Sequence, residues 1–342
     1  MDSTLLYSAR PEMVPAMDDV APRTQPVIPA PGTLHRSHLL DVDDFDAGEL
    51  TIILDTAAAM KEILSRPIHK VPALQGKTVI NLFYENSTRT RTSFELAAKN
   101  LSADVVNFTV ATSSVAKGES LIDTVRTLQA LGADYVVIRH SQSGAPYLVA
   151  RHFQGSVINA GDGWHAHPSQ ALLDLFTIRE RLGSVAGRTV ALVGDILHSR
   201  VARSNVWALT TMGAQVVLCG PPTLMPPEIT TLFRGRAVRV EYQLERALAG
   251  ADVVMALRLQ RERQQSGLLP SLREYSALYE LTNERLDRWC PNALVMHPGP
   301  MNEGVEIAPE VAHGARSLIE AQVTNGLAVR MAILYLLGYK AG

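Results

Sequence analysis

Hydroxyl and guanidinium side chains are concentrated in a few short stretches of the 342-residue sequence. The first is Glu85-Asn86-Ser87-Thr88-Arg89-Thr90-Arg91-Thr92, which follows a Val/Ile-rich run and leads into a segment of helical period from Ser93 to Leu101. Ser87, Thr88 and Thr90 offer hydroxyl donors beside backbone amides, and Arg89 adds a planar, two-pronged cation; that set suits a phosphate group. The same pattern also fits a helix N-cap flanked by solvated arginines. A second pair of segments carries Arg139 at the end of one apolar run and Gly161-Asp162-Gly163-Trp164-His165-Ala166-His167-Pro168-Ser169-Gln170 after another. A guanidinium, an imidazole and an amide from such places can converge on a small polar molecule, with His167 donating to an oxygen that gains charge. Taken alone, His167 reads equally as a hydrogen-bonded structural histidine. His165 and His167 raise the question of a metal; a catalytic zinc takes three protein ligands and no third beyond Asp162 is obvious nearby, and no metal is expected.

Two more arginines stand at equivalent places later in the chain. Arg200 lies in Gly194-Asp195-Ile196-Leu197-His198-Ser199-Arg200-Val201-Ala202-Arg203-Ser204, and Arg258 in Leu257-Arg258-Leu259-Gln260-Arg261-Glu262-Arg263. Two arginines from separate strand ends, each forming paired charge-assisted bonds, are a good grip for a dicarboxylic acid. Either one alone would more ordinarily be a surface ion pair. The Gly194-Asp195 turn lacks the G-x-G-x-x-G spacing, which argues against a dinucleotide. His297-Pro298-Gly299-Pro300-Met301-Asn302 forms a further polar turn, with Pro298 expected to follow a cis bond or simply to punctuate the turn.

Parallel strands flanked by helices would bring these segments together, since ligands lie beyond the carboxyl ends of such strands. Leu50, Ile53, Leu54, Ala57, Met60 and Ile63 recur at helical spacing. Apolar runs at 78–83, 105–108, 135–138 and 157–159 alternate with helical stretches, as do a second series at 190–193, 216–219, 238–242, 253–257 and 293–296. The expected architecture is α/β, with two tandem domains, each a parallel sheet flanked by helices, joined by interdomain helices. Residues 1–33, rich in proline, read as a flexible leader. Residues 34–169 form the first domain, completed by a C-terminal helix at 322–342, and 170–321 form the second. Lys and Arg number 32 against 34 Asp and Glu, a net charge of -2 that gives no pull toward nucleic acid or anionic membrane. Only Cys219 and Cys290 occur, and no run is apolar for the length of a membrane helix. A soluble protein of the reducing cytoplasm fits.

Ser87-Thr88-Arg89-Thr90, taken with His167-Pro168-Ser169-Gln170-Ala171-Leu172-Leu173-Asp174, resembles the signature pair of the carbamoyltransferase family. The resemblance covers residues 36 to 338. It implies that Ser87, Thr88, Arg89 and Thr90 hold the phosphate of carbamoyl phosphate, and that Arg139, His167 and Gln170 hold its carbamoyl end. Gly299 and Pro300 would lie beside the substrate amide and amino groups. The segments around Arg200, Arg258 and Gln260 look like those of members that use aspartate. The activity implied is carbamoyl transfer to the amino group of L-aspartate, an early step of pyrimidine synthesis, without a cofactor. Thr112 to Ser120 resembles the family loop that reaches into a neighbouring subunit. The resemblance therefore implies a homotrimer in which Ser113 and Lys117 complete the neighbour's site, with Lys117 touching phosphate and aspartate, and regulatory or dihydroorotase-type chains as further partners. Glu303 stands where the family commonly carries arginine, which puts a salt bridge near the cleft in question. Two readings compete: an ornithine or other amino-acid carbamoyltransferase, against which the His297-Pro298-Gly299-Pro300 turn and Arg258-x-Gln260 speak, and a non-catalytic homologue within an assembly.

Overall fold

The computed structural model describes residues 32–109, 119–260 and 267–338. In the first half the order is α1 (Ala47–Leu64), β1 (Thr78–Phe83), α2 (Thr88–Asn100), β2 (Asp104–Thr109), α3 (Leu121–Ala130), β3 (Tyr135–His140), α4 (Ala145–His152) and β4 (Ser156–Asp162). Helix α5 (Pro168–Leu182) follows, ending at Gly183 in a positive-φ conformation. The second half runs β5 (Thr189–Val193), α6 (Arg200–Thr211), β6 (Gln215–Cys219), α7 (Ile229–Leu232), β7 (Val238–Glu241), α8 (Leu244–Leu248), β8 (Val253–Ala256), α9 (Leu272–Tyr279), α10 (Asn283–Trp289), β9 (Leu294–Met296) and α11 (Pro309–Ala312). The last helix is α12 (Ile319–Gly338).

Both sheets are parallel throughout. The first has the order β2-β1-β3-β4 and the second β7-β6-β5-β8-β9. In each the chain starts in the middle, builds outward on one side and then crosses to the other. The order therefore reverses between β1 and β3 in one sheet and between β5 and β8 in the other. Connections leave opposite faces at such a point, which opens a crevice at the strands' carboxyl ends. Glu85 to Thr92 follow β1 and Arg139 lies in β3; Arg200 follows β5 and Arg258 follows β8. Each half thus delivers its candidate residues to its own crevice.

Burial on both faces explains the continuous apolar strands. Ile80, Leu82, Val136, Ile138 and Val157 pack with Val125, Leu128 and Val149 of α3 and α4. Ala191, Val193, Val217, Val254 and Val295 form the second core with Leu248, Tyr275 and Leu286. Helix α12 packs against α1, α2 and α5, which explains why it is apolar on most of its surface. Among the described residues no helix is long and apolar enough to cross a membrane.

Candidate active site

A cavity of about 770 Å³ opens between the carboxyl ends of the two sheets. Its walls include Ser87, Thr88, Arg89, Thr90, Arg139, His167 and Gln170 from the first half, Arg200, Arg258 and Gln260 from the second, and Gly299 and Pro300 from the turn after β9. The structure therefore gathers every candidate residue that it describes. Ser113 and Lys117 lie outside the described residues, as do Arg261, Glu262 and Arg263.

The candidate phosphate cradle is the start of α2. Ser87 occupies the N-cap position with extended backbone, φ -157°, yet its side chain makes no capping bond. Capping therefore does not consume this hydroxyl, and the amino end of the helix faces the cavity with Arg89 and Thr90 beside it. Gly299 closes over the same guanidinium. Its φ is +63°, and a Cβ there would run into Arg89 Nη1. The cis bond in this turn is Gly299–Pro300, not the bond before Pro298. The expectation for Pro298 failed because the sequence offers two X–Pro bonds two residues apart and the same tertiary-amide chemistry permits cis at either.

Arg139 and Arg200 share an anchor that the sequence reading missed. Glu85 Oε2 lies 3.3 Å from Arg139 Nε and 2.9 Å from Arg200 Nη2. Arg139 also donates to the Ala160 carbonyl at 3.2 Å, and Arg200 to the Gly163 carbonyl at 3.2 Å. Arg200 is 4% exposed and lies close over Gly161, where a Cβ would come within 2.9 Å of its guanidinium carbon. The one signal for Glu85 was its place as the first polar residue after β1 in the cradle segment. Its partners lie 54 and 115 residues away, beyond the reach of local pattern.

His167 begins α5, just before Pro168; it is 5% exposed, and its backbone N–H donates to Ser204 Oγ at 2.9 Å. His165 turns away to another cluster, with Nδ1 3.1 Å from Asp162 and Nε2 3.6 Å from Asp41. On the other side, Asp195 accepts from His198 Nδ1 at 2.9 Å and from the Gln260 backbone N–H at 3.4 Å, tying the loop after β5 to the loop after β8. Glu303 does not line the cavity; it is exposed and lies 3.2 Å from His313 Nε2.

Behind the cradle is a buried polar layer. Arg330 of α12 donates to Ser93 Oγ at 2.9 Å and sits 5.2 Å from the centre of the Phe94 ring. Burial draws its guanidinium down to about 10, partly offset by the charge of Asp174. Asp174 itself is pushed up to about 6 by burial, against the hydrogen bonds of Asn205, Gln322 and Gln170 and the charge of Arg330. Overall, cations dominate the cavity wall although the chain as a whole is slightly acidic. Such a field selects small, multiply anionic ligands.

This fold and site are those of a carbamoyltransferase, and the chain belongs to the aspartate/ornithine carbamoyltransferase family. Residues 37–180 match the family's carbamoyl-phosphate-binding domain and residues 186–337 its aspartate/ornithine-binding domain. Within the family the chain is 65% identical to the aspartate carbamoyltransferase catalytic subunit of Chloroflexus aurantiacus over 300 residues, covering 88% of this chain and 97% of the relative. The catalytic subunit from Moorella thermoacetica is 62% identical over 304 residues, 89% of this chain and 98% of that one. Among solved structures, aspartate transcarbamoylase of Trypanosoma cruzi in complex with N-(phosphonacetyl)-L-aspartic acid superposes with a TM-score of 0.80 at 33% identity, covering 86% of this chain and 94% of that one. The catalytic subunit from M. jannaschii gives 0.78 at 36% identity, over 88% and 98%.

Proposed function

We infer that the chain transfers the carbamoyl group of carbamoyl phosphate to the amino group of L-aspartate, giving N-carbamoyl-L-aspartate and phosphate, an early reaction of pyrimidine synthesis. The observation that carries this reading is the single cavity that joins a hydroxyl-rich helix start and Arg89 to two arginines, Arg200 and Arg258, from the opposite sheet. Ser87, Thr88, Arg89 and Thr90 hold the phosphate. Arg139, His167 and Gln170 hold the carbamoyl end, with Gly299 and Pro300 beside it. Arg200 and Arg258 each take a carboxylate of aspartate, and Gln260 assists.

The uncharged amine of aspartate adds to the carbonyl carbon, a tetrahedral intermediate forms, and phosphate leaves with the C–O bond pair. Arg139, His167 and the Thr90 hydroxyl donate to the oxygen that becomes negative; donors aimed in this way contribute about 3 kcal/mol each. The departing phosphate collects the amine proton. Holding both reactants in one cavity supplies much of the rest of the rate gain. No cofactor enters this scheme.

The active form in this reading is a cytoplasmic homotrimer in which Ser113 and Lys117 of a neighbouring copy complete each site, with regulatory or dihydroorotase-type chains as candidate further partners. Titrating the purified chain with carbamoyl phosphate and either aspartate or ornithine tests the assignment. Carbamoyl aspartate is the expected product, and Arg258→Ala should raise the aspartate KM by roughly tenfold or more, the value of one charged hydrogen-bonded pair. Turnover of ornithine alone, or unchanged aspartate kinetics in Arg258→Ala, would overturn it.

A further inference from the structure

We propose that Asp174, which touches no part of the cavity, is a positioning residue that sets which atom of the Gln170 amide faces the carbamoyl group. The inference rests on the proposed role of Gln170 at the carbamoyl end. Asp174 is wholly buried in α5 and takes hydrogen bonds from three helices. Its Oδ1 accepts from Gln170 Nε2 at 3.0 Å and from Gln322 Nε2 of α12 at 2.7 Å, and its Oδ2 accepts from Asn205 Nδ2 of α6 at 2.8 Å.

An ionised carboxylate can only accept, so Gln170 must turn its NH₂ toward Asp174 and its Oε1 the other way. Gln170 is itself only 7% exposed, and the surface that it shows lies on the cavity wall. The amide oxygen is thus held ready for a donor, and the carbamoyl NH₂ is a donor. The second glutamine is fixed by the same logic. Gln322 donates to Asp174 and accepts the backbone N–H of His297 at 2.9 Å. His297 Nδ1 accepts in turn from the Gly299 N–H at 2.8 Å. One buried carboxylate therefore orients the side chain on one flank of the carbamoyl group and, through Gln322, the turn on the other. Burying a charge is expensive, and three amides plus the nearby Arg330 are what the fold supplies against that cost. A network maintained at such expense, beside a cavity, is more than filler.

Asp174→Leu keeps the branched shape and removes both acceptor oxygens. Nothing at that position then holds the Gln170 NH₂ away from the cavity, and the amide is free to turn it toward the ligand. Phosphonoacetamide, which carries an amide and a phosphonate, and inorganic phosphate, which has no amide, separate this effect from a general loosening. Binding of both to the full-length chain is measured for wild type, Asp174→Leu, Gln170→Ala and the double variant. The inference expects Asp174→Leu to weaken phosphonoacetamide roughly tenfold while phosphate stays within about twofold, and to add nothing in the Gln170→Ala background. Equal losses for both ligands, or additive losses, would overturn it. If Gln170→Ala alone leaves phosphonoacetamide binding intact, the carbamoyl-end assignment falls and this inference with it. If Asp174→Leu fails to fold, a crystal structure of the wild type with phosphonoacetamide decides: the Gln170 terminal atom nearest the ligand nitrogen must be the one remote from Asp174, and the opposite arrangement refutes the idea.

Discussion

Glu85 pairs with two groups, Arg139 and Arg200, to which the proposed function gives substrate roles. Its Oε2 faces both Arg139 and Arg200, so a dicarboxylate reaching Arg200 exchanges one carboxylate for another rather than filling a bare cation. That exchange keeps the charge of the buried guanidinium balanced at every stage, where an uncompensated one would be costly. Arg89 is managed differently, by a steric lid. Gly299 adopts φ +63° directly over its Nη1. An alanine there would meet two penalties: a left-handed backbone, on the order of 1 kcal/mol, and a collision with the guanidinium. Because Arg89 is exposed and the clash falls on the end of its long side chain, the collision is relieved by displacing the cation rather than by unfolding. Gly299→Ala should therefore weaken inorganic phosphate roughly tenfold while lowering stability by only about 1 kcal/mol. Calorimetric titration and chemical denaturation check the two halves; unchanged phosphate affinity would refute the lid.

At the scale of elements, helix starts at the cavity are not capped alike: Ser199 caps α6, its Oγ accepting the Ala202 N–H at 3.1 Å. Helix α2, by contrast, leaves the Ser87 side chain out of any cap, and α5 starts at His167 without a side-chain cap. Helix α1, away from the site, carries a full capping box: Asp46 accepts from the Glu49 N–H at 2.8 Å, and Glu49 accepts from the Asp46 N–H at 3.2 Å. Glu49 is further held by Arg36 Nε at 2.7 Å. Asp46→Ala should cost about 1 kcal/mol in denaturation free energy and leave the kinetics of both substrates unchanged. A kinetic effect would mean that α1 is coupled to the site. The same contrast marks what was legible in the sequence. All six apolar positions of the expected first helix are buried, because helical period encodes one face of a local element. The strands were legible for the same reason, and the cradle segment because its residues are neighbours in sequence. Glu85, Asp174 and Arg330 were not, although Asp174 lies inside the signature stretch. Apart from the Gln170–Asp174 pair within α5, their meaning depends on partners between 31 and 237 residues away in the chain, a distance across which composition and spacing carry no signal. The X–Pro bond that turned out cis was hidden for a different reason, since either proline of the turn satisfied every local rule.

At the scale of the whole molecule, the two halves meet around Asp41, in the segment before α1. It is 6% exposed, accepts the Val42 N–H at 2.7 Å and Ser204 Oγ of α6 at 3.4 Å, and lies 3.6 Å from His165 Nε2. The Ser204 hydroxyl also accepts the backbone N–H of His167, so this junction abuts the site. Burial pushes the Asp41 carboxyl up to about 7, with the Val42 bond and the charge of His165 opposing and Asp43 and Asp162 adding to the rise. An unfolded aspartate titrates near 3.9, so between about pH 4 and pH 7 the folded chain holds a proton that the unfolded chain has released. Stability then falls as pH rises through that window and levels off above it, because ionising Asp41 in place costs free energy. His165, held above its ordinary range by its bond to Asp162, adds a change of the same sign, since the stability gained from its charge is lost as pH rises. Asp41→Asn retains the acceptor oxygen and removes the titration. Its stability relative to wild type should grow between pH 5 and pH 7 by on the order of 2 kcal/mol and then stay constant to pH 8.5. Denaturation midpoints for both proteins across that range decide the matter: a difference that does not change with pH would mean that Asp41 is already ionised in the folded chain, its charge balanced by the imidazolium of His165.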